Sequence, residues 1–378
     1  MQQVVGSNGA MHLRSTNCEI RNLTPCRLSS RASRVLLAIS VAAHAPAILA
    51  STGGPSSTPS IFNPASTPAA EIHRLSLFVI AICLAIFLVV FSLIVYSTIK
   101  FRKKADDNQE PPQIYGSNQV ELAWTVIPIL IVVVLFLAAA RVIHAVEDAQ
   151  FPPNTIEVTA TGHQFWWEFQ YPASAQIRCP GRSDSTSPCI TTANELHVPV
   201  GAPTHIVLLS ADTDHSFWVP QLAGKIDLIP NRRNEMWIEP HDVGHYVGQC
   251  AQYCGTQHAK MLLNVMVDTP EDFQKWVQQQ EAPAMVSDQV AAGRKVFETN
   301  ACMNCHTIGT IAQGRFGPDL THLMSRTTIA AGAAPNTQEN LTLWVKTPDA
   351  IKPGCLMPAM QLDDQDVTAL VAYLMSLH

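Results

Sequence analysis

Hydrophobic positions along the chain fall into three kinds of run. Two runs are long and almost unbroken, from about Leu75 to Ile99 and from about Val120 to Ile143. A helix rises 1.5 Å per residue, so roughly twenty residues cross the hydrocarbon core of a bilayer. Both runs are long enough, and they predict a transmembrane hairpin over residues 71–147 with spans at 75–99 and 120–143. After residue 150 the runs shorten. Thr155–Tyr171, Glu195–Ser210, Glu235–Glu239 and Met261–Asp268 carry β-branched and aromatic residues between clusters of Pro, Gly and Asn. Short strands broken by turn signals predict an all-β sandwich or barrel over residues 150–280, closed by a helix from Glu271 to Gln280. The third kind has helical spacing. Val290, Gly293, Val296 and Phe297 follow the capping residues Ser287 and Asp288, and Val367, Leu370, Val371 and Leu374 follow Asp363. These predict an all-α unit over residues 285–378, behind a polar linker at Gln278–Asp288.

Composition agrees with the membrane reading. Of 378 residues, 14% are charged and 47% are apolar, which is low in charge for a wholly soluble chain. Lys100, Arg102, Lys103 and Lys104 occupy the loop between the two spans. By the positive-inside rule that loop is cytoplasmic, and both chain ends lie outside. The net charge of -6 comes with no basic patch, which excludes a nucleic-acid partner. Arg27, Arg31 and Arg34 precede a short apolar run, Val35–Ala50, so residues 1–50 read as a signal peptide and residues 51–70 as a flexible linker. Cys179 and Cys189, in an exported Pro/Gly/Ser-rich insertion, are expected to pair. Glu121 stands at the mouth of the second span. A carboxylate is expensive in lipid and is there a functional candidate, the alternative being an interfacial Glu in water.

The densest chemistry is Cys250-Ala-Gln-Tyr-Cys254-Gly-Thr-Gln-His258-Ala-Lys-Met261. Thiolate, thioether and imidazole together suit copper. A mononuclear site of the blue type uses a single Cys, so the second thiol points to two coppers bridged by both sulfurs. Each ion then needs a terminal imidazole and a weak ligand. His258 is one imidazole, and His215 in Asp212-Thr-Asp-His215 is the best upstream candidate for the other. Met261 is one weak ligand, and a backbone carbonyl can be the second. A zinc site or a Cys250–Cys254 disulfide are the alternatives. His163, His197, His205, His241 and His245 lack comparable spacing and read as surface or satisfied core residues.

Further on, Cys302-Met-Asn-Cys305-His306 is the c-type haem attachment signature, with two thioether bonds and a proximal imidazole. Met357 is the chosen sixth ligand, with Met360 and Met324 as rivals, since a Met/His pair favours electron transfer.

Two spans followed by an all-β domain ending in C-x3-C-x3-H-x2-M resemble subunit II of haem-copper oxidases. The likeness covers roughly residues 70–280, including Gly162-His163-Gln164-Phe165-Trp166-Trp167, Asp212–Trp218 and Leu222–Pro230. The tail resembles a class I cytochrome c, and the fusion resembles caa3-type oxidases. The resemblance implies a multi-domain chain: a two-helix transmembrane hairpin, a cupredoxin-like Greek-key domain and an all-α cytochrome c domain. It implies that His215, Cys250, Cys254, His258, Met261 and the carbonyl of Gln252 ligate the binuclear CuA centre. It also implies that the carbonyl of Pro318 holds His306, and that Glu121 marks the mouth of a proton path. Two positions depart from the family. Gln252 stands where Glu usually also binds a Mg ion shared with subunit I, so that contact loses its charge. Phe165 stands where Trp often admits electrons, leaving Trp166 and Trp167 as neighbouring candidates. The implied function is electron input to a terminal oxidase of the bacterial plasma membrane, from a donor through haem c and CuA to the haem a and haem a3–CuB centres of subunit I. Subunit III is a further expected partner. The expected donor is a cytochrome c or a quinol:cytochrome c reductase-type complex. A membrane-tethered CuA/haem c carrier serving another reductase is the alternative.

Overall fold

The computed structural model describes residues 59–103, 110, 112–113, 115–147, 151–152, 155–174, 176–177, 188–283 and 290–378. The expected signal peptide, Lys104, Cys179 and the caps Ser287 and Asp288 lie outside these residues. Cys189 is disulfide-bonded.

Two long helices open the described chain: α1 (Thr67–Lys100) and α2 (Asn118–Glu147). Both are long and apolar enough to cross a membrane, and no part of their apolar windows is buried. A core helix of a soluble domain hides such a surface, whereas a lipid-facing hairpin must expose it. The outer ends of both helices are tied to the β-domain. The Thr67 hydroxyl donates to Glu239 Oε2 at 2.5 Å, and Trp237 Nε1 donates to the Val146 carbonyl at 2.7 Å. The basic loop therefore sits at the end of the hairpin remote from the β-domain.

One expectation is corrected here. Of the linker drawn flexible over residues 51–70, the described residues 59–66 lie against the β-domain and residues 67–70 already belong to α1. Ala65 N–H donates to the Gln221 carbonyl, His241 N–H donates to the Ala65 carbonyl, and Ser66 forms a β-bridge with Pro240. The small polar residues that read as linker let this strand-like segment lie flat on the domain, where Ala65 and Ser66 are buried.

Among the described residues the β-domain contains ten strands: β1 (Ile156–His163), β2 (Trp166–Tyr171), β3 (Ile190–Ala193), β4 (Glu195–Pro199), β5 (Thr204–Ser210), β6 (His215–Trp218), β7 (Ile226–Leu228), β8 (Asn234–Ile238), β9 (Gly244–Cys250) and β10 (Leu262–Asp268). They form two five-stranded sheets, ordered β3-β2-β1-β5-β8 and β4-β10-β9-β6-β7. β1 runs parallel to β5 and β10 parallel to β4, so the chain crosses between sheets, as a Greek key requires. Alternate residues of β1 (Ile156, Val158, Ala160) face inward against Trp167, Phe169, Phe217 and Leu263, all buried in one core. Helix α3 (Pro270–Glu281) closes the domain, capped by the Thr269 hydroxyl, which accepts from Asp272 N–H.

The C-terminal unit is built from α4 (Ala291–Thr299), α5 (Gln338–Lys346), the single turn α6 (Pro348–Ile351) and α7 (Asp364–Leu374), with two short ribbons between. Its core joins Val296 and Phe297 of α4 to Leu341 and Val345 of α5 and to Leu370, Val371 and Tyr373 of α7. The Asp363 carboxylate caps α7 by accepting from Asp366 N–H.

Candidate functional site

The sulfur loop hangs between β9 and β10, which pair antiparallel, so Cys250 and Met261 are held side by side: Cys250 N–H donates to the Met261 carbonyl at 2.9 Å. β6 lies on the other side of β9 and brings His215 beneath the loop. The Cys250 and Cys254 sulfurs are 3.9 Å apart. A disulfide bond is about 2.05 Å long, so these are two separate thiols. His215 Nδ1 lies 3.8 Å from Cys250 Sγ, and His258 Nδ1 lies 3.8 Å from Cys254 Sγ. Met261 Sδ is 3.9 Å from Cys254 Sγ, and the Gln252 carbonyl oxygen is 3.1 Å from Cys250 Sγ. Each sulfur thus has one imidazole and one weak donor beside it. This set exceeds what one tetrahedral zinc ion takes, and its thioether is foreign to zinc. His215, Cys250 and Cys254 are all buried, with their ligand atoms within 4.8 Å of one another.

Electrostatics prepare the set. The sulfur–sulfur hydrogen bond holds Cys250 well below the ordinary thiol range and pushes Cys254 above it. Asp212 Oδ1 lies 2.8 Å from His215 Nε2 and fixes which ring nitrogen turns to the sulfurs. Burial is the largest single influence and opposes charge on this pair, but the mutual hydrogen bond, the Thr213 and Gln164 N–H groups on Asp212, and Cys250 beside His215 together outweigh it, lowering Asp212 and raising His215. Asp212 is a functional residue that the donor spacing alone does not single out. A carboxylate three residues before a ligating His on a tight turn was the signal.

The three aromatic candidates separate in space. Trp167 is fully buried and sets its edge on His215 and Phe217. Trp166 stacks on His163 at 4.2 Å. Phe165 packs on the sulfur loop itself: a Cβ on Gly255 would lie 2.9 Å from the Phe165 ring, and Gly255 has φ +133°, so only glycine fits there. Of the five histidines set aside, His163 is half-buried, and desolvation lowers its pKa to about 4. His197 pairs with Asp268, His205 with Glu235, His241 with Thr67 and His245 with Asn264. Glu121 is exposed in the first turn of α2, at the loop end of the hairpin.

The C-x-x-C-H segment opens on a cavity of about 350 Å³ lined by Cys302, Cys305, His306, Met357 and Met360. Met324 packs into the helical core instead. His306 Nδ1 donates to the Pro318 carbonyl at 2.7 Å, which leaves Nε2 as the free imidazole nitrogen. Burial lowers the His306 pKa and favours the neutral ring that an iron ligand needs. A Cβ on Gly317 would lie 2.7 Å from His306 Cε1, so the ring is cradled by bare backbone. An apolar cavity carrying two thiols, an imidazole and thioethers fits a covalently held haem.

Comparison with known proteins agrees with this geometry. Residues 55–142 match the transmembrane domain of cytochrome c oxidase subunit II, residues 156–268 match its periplasmic domain, and residues 290–378 match cytochrome c. Cytochrome c oxidase subunit 2 of Alkalihalophilus pseudofirmus is 35% identical over 297 residues, covering 77% of this chain and 82% of that protein. The same subunit of Bacillus sp. strain PS3 is 31% identical over 296 residues, covering 73% and 79%. The periplasmic domain of subunit II of cytochrome oxidase from Bradyrhizobium japonicum is 27% identical and covers 35% of this chain and 97% of that one, with a TM-score of 0.30. These matches imply copper for the β-domain and haem for the tail. The chain belongs to the cytochrome c oxidase subunit 2 family, as a membrane-anchored member with a fused cytochrome c domain that carries electrons into the oxidase.

Proposed function

We propose that His215, Cys250, the Gln252 carbonyl, Cys254, His258 and Met261 hold a binuclear CuA centre, and that Cys302, Cys305, His306 and Met357 hold haem c. The observation that carries this reading is the ring of donors at 3.8–3.9 Å around two unbonded thiols. When bound, the two groups supply single-electron carriage in the order external donor, haem, copper, subunit I. The chain's own task is to hold them still. β6 and β9 fix one imidazole and one sulfur, and Asp212 aligns that imidazole. The Pro318 carbonyl turns His306 toward the cavity. Met357 is preferred to Met360 because it immediately precedes Pro358, and the Cys355 thiol donates to its carbonyl at 3.3 Å and steadies it. Phe165 and Trp166, which both line the cavity, are the aromatic residues at the electron entrance, and Trp167 supports His215.

The hairpin seats the chain beside subunit I, which bears haem a, haem a3 and CuB, with subunit III as a further partner. The copper and haem domains lie on the periplasmic side of the bacterial plasma membrane, and the basic loop lies inside. Glu121, at that inner end, is placed to receive protons at the mouth of a path into subunit I. Gln252 offers a Mg ion an uncharged amide where a carboxylate would bind more firmly. The donor is a cytochrome c or a quinol:cytochrome c reductase-type complex.

Metal and haem analysis of the purified membrane complex tests this. Two coppers and one covalent haem on this chain are expected, and Cys254→Ser should abolish the paired-copper spectrum while leaving the haem in place. A single copper in the wild-type chain would overturn the reading.

A further inference from the structure

The haem cavity is not confined to the C-terminal domain. Gln164, Phe165, Trp166, Asn194 and Gln257, all from the β-domain, form part of its wall. Among the described residues, several hydrogen bonds join the two domains, including Leu262 N–H to the Ala331 carbonyl and Gln280 Nε2 to Ser325 Oγ, and two groups of them are compact anchors. In the first, buried Glu195 of β4 accepts from Thr327 N–H at 2.7 Å and Thr327 Oγ1 at 2.5 Å, while Asn264 Nδ2 donates to Thr328 Oγ1 at 3.0 Å. The second lies next to both redox sites. Gln257, the residue before His258, donates through Nε2 to the Lys352 carbonyl at 2.8 Å and to the Pro353 carbonyl at 2.9 Å. Lys260 Nζ donates to the Ile351 carbonyl at 3.0 Å. Lys352 Nζ returns across the interface and donates to the Phe165 carbonyl at 2.6 Å. Gln164 Nε2 then donates to the Cys254 carbonyl at 2.6 Å.

Lys352 is therefore a node. Its carbonyl reaches the copper loop through Gln257, and its amine reaches the same loop through Phe165 and Gln164. It is only 3% exposed. Burying an amine is costly unless it is hydrogen-bonded, and an apolar side chain would fill this space more cheaply, so the contact with the Phe165 carbonyl does more than pack the interface. The segment it belongs to leads directly to Met357. We propose that Lys352 is a positioning residue that, with Gln257, latches the methionine segment of the cytochrome domain onto the copper loop, so that this domain is a seated carrier and not a swinging one. Electron tunnelling falls steeply with separation, so a fixed seat keeps the two centres at one short distance. It also covers Phe165 and Trp166, and a soluble donor must then approach the cytochrome domain and not the copper domain. The electron-transfer consequence rests on the function proposed above, whereas the latch itself does not.

The test uses the purified full complex with Lys352→Met, Gln257→Leu and, as a surface control, Lys275→Met. Hydrogen–deuterium exchange is read at residues 251–262 and 350–358, and haem-to-copper electron arrival is followed after flash reduction of the haem. Losing either arm of the latch should raise exchange in both segments by about tenfold, the scale of one lost buried hydrogen bond. Electron arrival should slow by about tenfold as the seat loosens, since reaction geometry is sensitive to small displacements. Copper content, haem content and reduction of the haem by a small soluble reductant should stay at wild-type levels, as should every readout in the control. Wild-type exchange in both variants would overturn the proposal. So would a Lys352→Met complex altered only in haem content or haem potential, because the amine would then serve the haem. Should Lys352→Met fail to assemble, Gln257→Leu alone decides. Absence of copper or haem from the wild type would sink the functional reading and leave the exchange result to judge the latch.

Discussion

The copper loop and the haem pocket lie side by side, yet they are built differently. The loop is carried by two sheets whose core is closed without any metal: Trp167, Phe169, Tyr171 and Phe217 are fully buried and pack on one another. Its donors are held by strand pairing and by Asp212. The haem pocket is bounded by short turns, two-residue ribbons and the faces of α4, α5 and α7, around a cavity of about 350 Å³. Well-packed interiors tolerate few voids larger than a water molecule, so that space is room for a bound group. The contrast is between donors set on paired strands over a closed core and donors set on turns around an open space, and it predicts that the second site leans more on its cofactor.

The widest way to break the comparison is to prevent haem attachment. Cys302→Ser/Cys305→Ser should abolish cooperative unfolding of residues 290–378, while the β-domain keeps its own transition. Circular dichroism in the helical and aromatic regions, with limited proteolysis, reads both. A helical transition surviving in the variant would show that the tail folds without its cofactor and would erase the contrast.

A smaller effect tests the other side. Trp167 fills the β-core and supports the His215 ring. Trp167→Ala should destabilise the β-domain by about 3–5 kcal/mol, the usual cost of a buried aromatic truncation. Urea unfolding of that transition measures it, and copper retention against a chelator should fall with it as His215 loses its support. A cost near zero would mean that the scaffold is far less close-packed than the buried areas imply.

The sequence carried the chemistry of both sites because that chemistry is local. C-x3-C-x3-H-x2-M and C-x-x-C-H place their donors within one loop or one turn, and the apolar runs announce the hairpin by length alone. Long-range geometry was not legible. Lys352 sits in a polar stretch, Asp349-Ala-Ile-Lys-Pro-Gly, that reads as an ordinary exposed turn, and only the fold brings it to Phe165, distant in sequence. Glu195 gave no sign of bonding to Thr327 and Thr328, because a charged residue at a strand start usually faces water. Ser66 and Thr67 looked like linker, since nothing in their spacing records that β8 lies beside them. Met357 and Met360, three residues apart, both reach the cavity, so spacing could not choose between them.

The subtlest test asks whether the cytochrome domain also has a scaffold of its own. Helices α4 and α7 cross at Gly293, where an added Cβ would lie 1.9 Å from the Ala369 carbonyl oxygen and 2.7 Å from Tyr373 Cβ. No flexible side-chain end is there to yield, so the helices themselves must move apart. Overpacking of this kind costs about 1–3 kcal/mol. Gly293→Ala should therefore lower the stability of the haem-loaded domain by that amount, read from the change in haem absorbance during denaturant unfolding, with the β-domain transition unmoved. If the haem alone organised this region, the helices would drift apart at little cost and the midpoint would hardly shift. A shift of the expected size would show that the crossing of α4 and α7 is a fixed element, on which the pocket is completed when its cofactor is joined.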